Sequence, residues 1–345
     1  MPTISADRLL SLAKSLFEAA GIAPDDAAIV ARSLVESNLR GHDSHGVMRI
    51  PQYLEFLRDG KVIAGAPLTV LDESPALLAA DAGWGFGQVQ AHRLLDRLEP
   101  KAKALGVAAG TLRCCGHTGR LGEYAERMAA ARLAFIGTVN SHGGGHRVAP
   151  PGGISGRLST NPICIGAPTN DDPLVLDIGT SVCAEGKVRV CYQKGERVPE
   201  GWLLDAEGKP TTDPSVLYTQ PRGTILPLGG AQAYKGFGLA LLLDALAGGL
   251  SGGACSRSEG GQPHGNTVLF IVLDVDRFGG ANHFFPEVTA LAKFIHDCPR
   301  AEGMQSIQVP GDPERATMER RRAEGIPIPE ATWKALNELT ESITS

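Results

Sequence analysis

At four places in this sequence, residues able to move a proton or hold an anion stand close together. The first is Ser44-His45-Gly46-Val47-Met48-Arg49. A helix starting near Gly46 would set His45 and Arg49 one turn apart on one face. Imidazole exchanges a proton near neutral pH, and a guanidinium grips a carboxylate through two parallel hydrogen bonds. That pairing suits reduction of a carbonyl carried next to a carboxylate. The competing reading is a solvated His at a helix start with an exposed Arg beside it. The second place is Gly116-His117-Thr118-Gly119-Arg120, between an expected strand and an expected helix. Loops at strand C-termini are common ligand sites in α/β proteins, although a plain connection with a solvated His would look the same.

The third is the Gly/Pro-rich loop from Asn140 to Asn161, with Ser141-His142-Gly143-Gly144-Gly145-His146-Arg147 at its start and Ser159-Thr160-Asn161-Pro162 at its end. An irregular loop this long inside a compact domain is usually functional, and its glycines with a His/Arg pair would make an anion cradle of backbone N–H groups. His142 and His146 are four apart, which raises a metal-dependent lyase or hydrolase as a rival class. The intervening glycines oppose the helix that would align the two rings, no HExxH occurs, and the loop offers no carboxylate. The fourth is Gln232-Ala233-Tyr234-Lys235-Gly236-Phe237-Gly238 ahead of an apolar helix. A Lys among glycines at a helix start suits a phosphate, without the order of a Walker loop.

The elements that would position these groups follow from periodicity. Helices are expected over 5–20, 24–39, 46–57, 88–105, 120–132, 234–247, 285–297, 313–324 and 330–342, the one at 234–247 buried. Strands are expected over 107–112, 133–139, 163–167, 174–178 and 267–273, with β-like chain at 62–80. Residues 200–214 and 248–266 read as turns and loop. The fold class is therefore mixed α/β. No GxGxxG follows an expected strand, so any dinucleotide is held without the usual fingerprint, and no GxSxG elbow occurs.

Bulk composition narrows the classes further. The chain has 345 residues, enough for two domains, and a net charge of −5, which opposes nucleic-acid binding. Apolar stretches such as Leu239–Leu243 are too short for a membrane span, and the first twenty residues lack a signal-like apolar run. Seven cysteines without a CxxC pair read as a reduced, cytoplasmic protein.

Taken in order, these segments resemble the type-2 malate/L-lactate dehydrogenase family. The resemblance runs through Gly41-His42-Asp43-Ser44-His45-Gly46-Val47-Met48-Arg49-Ile50-Pro51, Gly116-His117-Thr118-Gly119, Leu158-Ser159-Thr160-Asn161-Pro162, Leu176-Asp177-Ile178-Gly179-Thr180-Ser181, Gly186-Lys187, Pro199-Glu200-Gly201-Trp202, Tyr234-Lys235-Gly236-Phe237-Gly238-Leu239 and Val309-Pro310-Gly311-Asp312. It implies an α/β fold with a non-Rossmann cofactor domain, a mixed sheet with flanking helices, and a homodimer with its active site near the subunit contact. Residues 1–115 with 300–345 would form a helix-rich substrate and dimerisation domain, and 116–299 the NAD(P)-binding domain. His45, with Ser44 beside it, and His117 fall at proton-transfer positions. Arg49 and Thr160 match substrate-binding positions. Asn140, Asp177, Ile178, Gly179, Thr180, Ser181, Tyr234, Lys235, Pro310, Gly311 and Asp312 match cofactor positions, for NAD or NADP, with no metal.

Two departures bear on the substrate. Gly116-His117-Thr118 stands where relatives often carry Asn-His-Phe or Asn-His-Trp, and the approach to Lys235 through Gly229-Gly230-Ala231-Gln232-Ala233 is longer than usual. The expected activity is hydride transfer between nicotinamide and C2 of a small 2-hydroxy or 2-oxo acid. A cyclic-imine reductase or a ureidoglycolate-type dehydrogenase is the nearer alternative, and a catalytically silent binding protein a further rival.

Overall fold

The computed structural model describes residues 1–344. Its first elements are β1 (Thr3–Ile4), α1 (Ala6–Ala19) and α2 (Pro24–Leu39). Ser5 caps α1 by accepting from Arg8 N, and Pro24 with Asp25 and Asp26 begins α2 where a helix start favours them. Next come α3 (Ile50–Arg58), the hairpin β2 (Thr69–Glu73) and β3 (Leu77–Asp81), α4 (Gly87–Leu105), β4 (Val107–Gly116), α5 (Gly122–Ala130) and β5 (Ala134–Asn140). After the long loop the chain forms β6 (Ile163–Ala167), β7 (Leu174–Ile178), α6 (Glu185–Lys194), and the short strands β8 (Leu203–Leu204), β9 (Pro210–Thr211) and β10 (Thr224–Ile225). It continues through α7 (Ala233–Asp244), which runs into a π turn at Ala245–Gly249, then β11 (Gly265–Leu273), α8 (Ala281–His296), α9 (Asp312–Glu324), β12 (Ile326–Pro327) and α10 (Glu330–Thr344).

The main sheet has the order β2-β3-β4-β11-β5-β6-β7. Only β3 and β4, joined through α4, are parallel; every other neighbouring pair is antiparallel. A doubly wound dinucleotide-binding sheet would be mostly parallel, so this is a mixed sheet of another kind. The late strand β11 lies between β4 and β5, which brings Gly265 opposite Gly116 and Thr267 opposite Asn140. The expected boundary at 115/116 falls at the end of β4, and the sheet takes strands from both sides of it.

Three apolar clusters hold the layers. Leu94, Leu95 and Leu98 of α4 and Tyr124 and Met128 of α5 pack on Leu112, Phe135 and Phe270 of the sheet. Phe17, Val30, Leu34, Ile50 and Leu336 join α1, α2, α3 and α10 in a second core. Val188, Leu203, Leu217 and Ile225 make a small third one around the short strands.

Two expectations need correcting. The helix expected over 46–57 does not start at Gly46: Val47–Arg49 is a 3₁₀ turn and α3 begins at Ile50. The expected burial of 234–247 also fails, since Leu242 is 64% exposed and Leu250, just beyond the π turn, 61%. Leu239, Leu241 and Leu246 are exposed as well. An all-apolar helix reads as buried from sequence, but here only Gly236, Ala240, Leu243 and Asp244 of α7 are covered. Among the described residues no helix is long and apolar enough to cross a membrane.

Candidate active site

The site begins at the end of α2. Asn38 is buried there, accepts from Val47 N at 2.8 Å and donates to the Asp43 carboxylate at 2.6 Å. A Cβ on residue 46 would collide with that carboxamide, so Gly46 is required by close approach. Around it the chain makes two 3₁₀ turns, Asp43–His45 and Val47–Arg49, separated by extended Gly46 at φ −89, ψ −159. Arg321 of α9 grips Asp43 with both terminal nitrogens, at 2.7 and 3.0 Å. Arg49 Nε donates back to Ser44 O at 2.7 Å. The turns thus bring His45 and Arg49 together without the helix that the spacing implied.

His117 comes from the end of β4. Gly116 and Gly87 are pressed against the backbone of Gly85 and of residues 116–117, where no side chain fits, and this close contact fixes the loop start. The rings of His45 and His117 stack with centroids 5.5 Å apart and planes 19° apart. Tyr53 OH lies 2.6 Å from His117 Nδ1, and Gly119 N–H donates to the same nitrogen at 3.3 Å. A backbone N–H can only donate, so Nδ1 is an acceptor and the ring proton resides on Nε2. Gln88, wholly buried, donates to Tyr53 OH at 3.1 Å. Tyr53 and Gln88 carry no sequence signal for this role, because both read as ordinary helix residues.

Burial, followed by the Arg49 charge, pushes the His117 imidazole down to about 3. Burial also holds His45 well below the ordinary imidazole range, with His117 and Arg49 adding to the effect. The His45 Nδ1 faces the Ser44 hydroxyl at 3.0 Å. That hydroxyl can donate or accept, so it serves either protonation state of His45. Arg49 bonds Gln52 at 2.8 Å and Ser44 O, and among the described residues no carboxylate lies within ion-pair distance of it. Burial lowers its pKa, with the nearby Tyr53 and Glu185 working the other way. A largely desolvated guanidinium with free N–H groups and no counter-ion is built to take an anion. Glu185 is not free to neutralise it, being paired with Arg189 at 2.9 Å and accepting from Tyr218 OH at 2.9 Å.

The remaining expected residues are strung along β7. Asp177 is half-buried and accepts from Gly122 N at 2.7 Å; desolvation raises its pKa, against the charges of His42 and Arg120. Thr160 O accepts from Thr180 N and Oγ1, at 2.9 and 3.0 Å, tying the end of the long loop to the 178–181 segment. Leu228 N bonds Thr180 O at 2.9 Å, and Leu228 touches Gly236, so Tyr234 and Lys235 sit beside Thr180 and Ser181. At the other end of β7, Pro310 O accepts from Val175 N at 3.2 Å, and Asp312 holds Val309 N at 2.8 Å. Asn140 is different. It is 1% exposed, and its carboxamide is used up by Asp244, Ala254 O, His142 N and Thr267 Oγ1, so its side chain holds the sheet end together.

The start of α7 could hold a phosphate. Lys235 is exposed at the start of a 12-residue helix, where the aligned backbone N–H groups favour negative charge, and among the described residues it has no carboxylate partner. His142 and His146 do not converge: the His142 ring lies 5.0 Å from Trp84 and His146 lines a separate cavity. No set of three or more His, Cys, Asp or Glu residues with metal-site spacing occurs among the described residues.

Known proteins carry the same fold and segments. The malate/L-lactate dehydrogenase family model matches residues 4–337. Malate dehydrogenase of Pyrococcus horikoshii is 35% identical, covering 99% of this chain and 95% of its own. L-lactate dehydrogenase of Cupriavidus necator is also 35% identical, covering 99% and 97%. A solved structure described as a putative malate/lactate dehydrogenase from E. coli superposes with a TM-score of 0.93 at 32% identity, covering 100% of this chain and 96% of that one. The chain belongs to the malate/L-lactate dehydrogenase family. It is a dehydrogenase acting on a CH–OH group, from a family that typically uses NAD(P).

Tyr53→Phe tests the His117 arrangement. Losing the phenol leaves Nδ1 with only the long bond from Gly119 and lets the Nδ1–H tautomer in. We expect nitrogen NMR of the imidazoles to show mixed tautomers at position 117, and kcat to fall roughly 10–10²-fold through misplacement. An unchanged tautomer in the variant would remove Tyr53 from this role.

Proposed function

We propose that the protein is a nicotinamide-dependent dehydrogenase interconverting a small 2-hydroxy acid and its 2-oxo acid. The observation that carries this is Arg49: half-buried, without a counter-ion among the described residues, and close to two stacked imidazoles. When bound, the nicotinamide supplies or accepts the hydride at C2. Lys235 and the start of α7 would hold its phosphates, and the segments 177–181 and 310–312 would line the rest, with NAD or NADP accommodated. Arg49 pairs with the substrate carboxylate, and Thr160 would contact the rest of the substrate.

His45 is the acid–base group in this reading. In the reducing direction it gives the carbonyl oxygen its proton, and in the oxidising direction the neutral ring takes the proton back, help worth roughly 10²–10⁴-fold. His117 is less suited, because forming its imidazolium would turn Nδ1–H against the Gly119 N–H. Its Nε2–H instead donates a hydrogen bond to the same oxygen and steadies the developing alkoxide. Ser44 follows the protonation state of His45.

Two further features complete the reading. The exposed leucines of α7 and the π turn support a homodimer formed on that face, next to Lys235. The seven cysteines, all free among the described residues, support a reducing cytoplasmic setting.

The direct test is a panel of 2-oxo acids and one cyclic imine, each with NADH and NADPH, followed by nicotinamide absorbance. Turnover of at least one oxo acid is expected, and silence across the panel would end this reading. Arg49→Lys, which cannot form the planar bidentate grip, should raise KM roughly tenfold or more, about 1.4 kcal/mol, with cofactor affinity unchanged. Wild-type kinetics in this variant would take Arg49 out of the site.

A second test separates the two imidazoles. In hydroxy-acid oxidation the base must be neutral, so kcat/KM falls as pH drops through its pKa. A lowered His45 pKa places that fall below the ordinary 6.5. His45→Ala should lose roughly 10²–10⁴-fold in kcat and abolish the acid limb. His117→Ala should keep the limb and move it to higher pH, because the stacked ring that helps to desolvate His45 is gone. The opposite pattern would reverse the assignment. A third test concerns assembly: Leu242→Glu should give a monomer by light scattering, and an unchanged mass would move the interface elsewhere.

A further inference from the structure

Outside the His45–His117 cleft, the structure concentrates positive charge at one further cavity. It encloses about 340 Å³ between the 143–147 stretch of the long loop, Arg222 near β10, and the 257–263 loop. Arg147, Arg222 and Arg257 converge on it with His146, and its lining contains no Asp or Glu. None of the three arginines forms an ion pair among the described residues; Arg257 only bonds the carbonyl of Cys255, at 3.3 Å. Arg147 is partly buried against Val148, which pairs with both Leu158 and Ile225, so its backbone is held from two sides. Its guanidinium pKa is lowered by burial and then by the charge of Arg222. The backbone N–H groups of Gly145 and His146 donate to no carbonyl in the protein.

Such an arrangement costs stability when empty. Arg222 and Arg257 are exposed and Arg147 is half-buried, so the repulsion falls chiefly on Arg147, which is partly desolvated beside a like charge. Evenly scattered arginines would be unremarkable on a protein of net charge −5, but three around one hollow, with no acid among them, run against the overall balance. Guanidinium forks match planar carboxylates and tetrahedral phosphates, and free backbone N–H groups in a glycine-rich turn complete the same kind of cradle.

We propose that this cavity is a second anion site, distinct from the Arg49 pocket, for a small multivalent anion of the phosphate or polycarboxylate class. It has a route to the active site. Arg147 shares the field of Glu185 and Arg189 with Arg49, so an anion on Arg147 alters the charge seen by that pair and, one residue further, by the substrate clamp. The site stands on cavity geometry and charge alone, so it survives or falls separately from the identity of the substrate.

The test is calorimetric titration of the purified protein with inorganic phosphate and, separately, citrate, at constant ionic strength set with chloride. Saturable binding of one or both is expected, and the stronger of the two tells a phosphate source from a polycarboxylate one. Arg257→Gln and Arg222→Gln should each weaken it roughly tenfold or more, while Arg49→Lys should leave it intact. Loss of binding in Arg49→Lys with retention in the other two would put the anion in the substrate pocket and overturn the proposal. So would an absence of saturable binding in the wild type. A changed oligomeric mass in the arginine variants with unaltered anion affinity would overturn it too, by making the cavity part of a subunit contact.

Discussion

The structure around the site depends on keeping a guanidinium out of water without giving it a carboxylate. Arg49 is half-buried at the end of the second 3₁₀ turn, and among the described residues its side chain is anchored by a carbonyl and an amide oxygen. The elements that converge there are those needed to support that arrangement. Arg321 pins Asp43 from α9, Asn38 pins both turns from α2, and the adjoining Glu185 is occupied by Arg189 and Tyr218. If Glu185 were free to swing onto Arg49, the clamp would be satisfied internally and its attraction for a substrate carboxylate would be spent.

The sheet order explains how residues so far apart in sequence reach one cleft. A late strand entering between β4 and β5 places Asn266 beside the His117 loop, where its side chain accepts from Thr118 N at 2.9 Å and donates to Asn140 O at 2.7 Å. This couples the end of β4 to the end of β5, and so the His117 loop to the start of the long glycine-rich loop. Asn140, whose side chain is wholly engaged, then holds Asp244 of α7 at 2.6 Å. A chain of buried amides therefore ties the imidazole loop to the helix that begins with Lys235. Networks of this kind fix geometry well because each unsatisfied member would be costly.

Much of the fold was legible in the sequence for physical reasons. Pro24–Leu39, Ile163–Ala167 and Leu174–Ile178 carry strong periodicity with clear punctuation, and their ends came out where expected. The helix expected from Gly46 starts late, at Ile50, because the local pattern contains no trace of Asn38, whose carboxamide takes the Val47 N–H and leaves Val47–Arg49 as a 3₁₀ turn. The burial of α7 failed for a related reason: apolar residues all round a helix imply cover, but not whether the same chain provides it. His45, His117 and Arg49 were visible as residue types able to do the chemistry. Tyr53 and Gln88 were not, because a phenol and an amide in helices acquire meaning only once β4 delivers His117 to them.

The depressed imidazoles have a consequence for how the site can cycle. Burial lowers both His45 and His117, and the Arg49 charge lowers them further by repelling their charged forms. In the proposed reading a substrate carboxylate on Arg49 offsets that smaller, Coulombic part, so the imidazolium becomes easier to form when an anion is bound. In the absence of substrate the rings stay neutral and the cleft carries one buried positive charge rather than two or three. In the proposed mechanism, binding would relieve the uncompensated guanidinium and ready His45 to hold a proton in the same event. His117 gains less from it, because the Gly119 N–H still faces Nδ1 whatever charge sits on Arg49. In the proposed mechanism two stacked imidazoles under the same field thereby take different roles, one changing protonation and one staying a neutral donor, and the Gly119 N–H is what separates them.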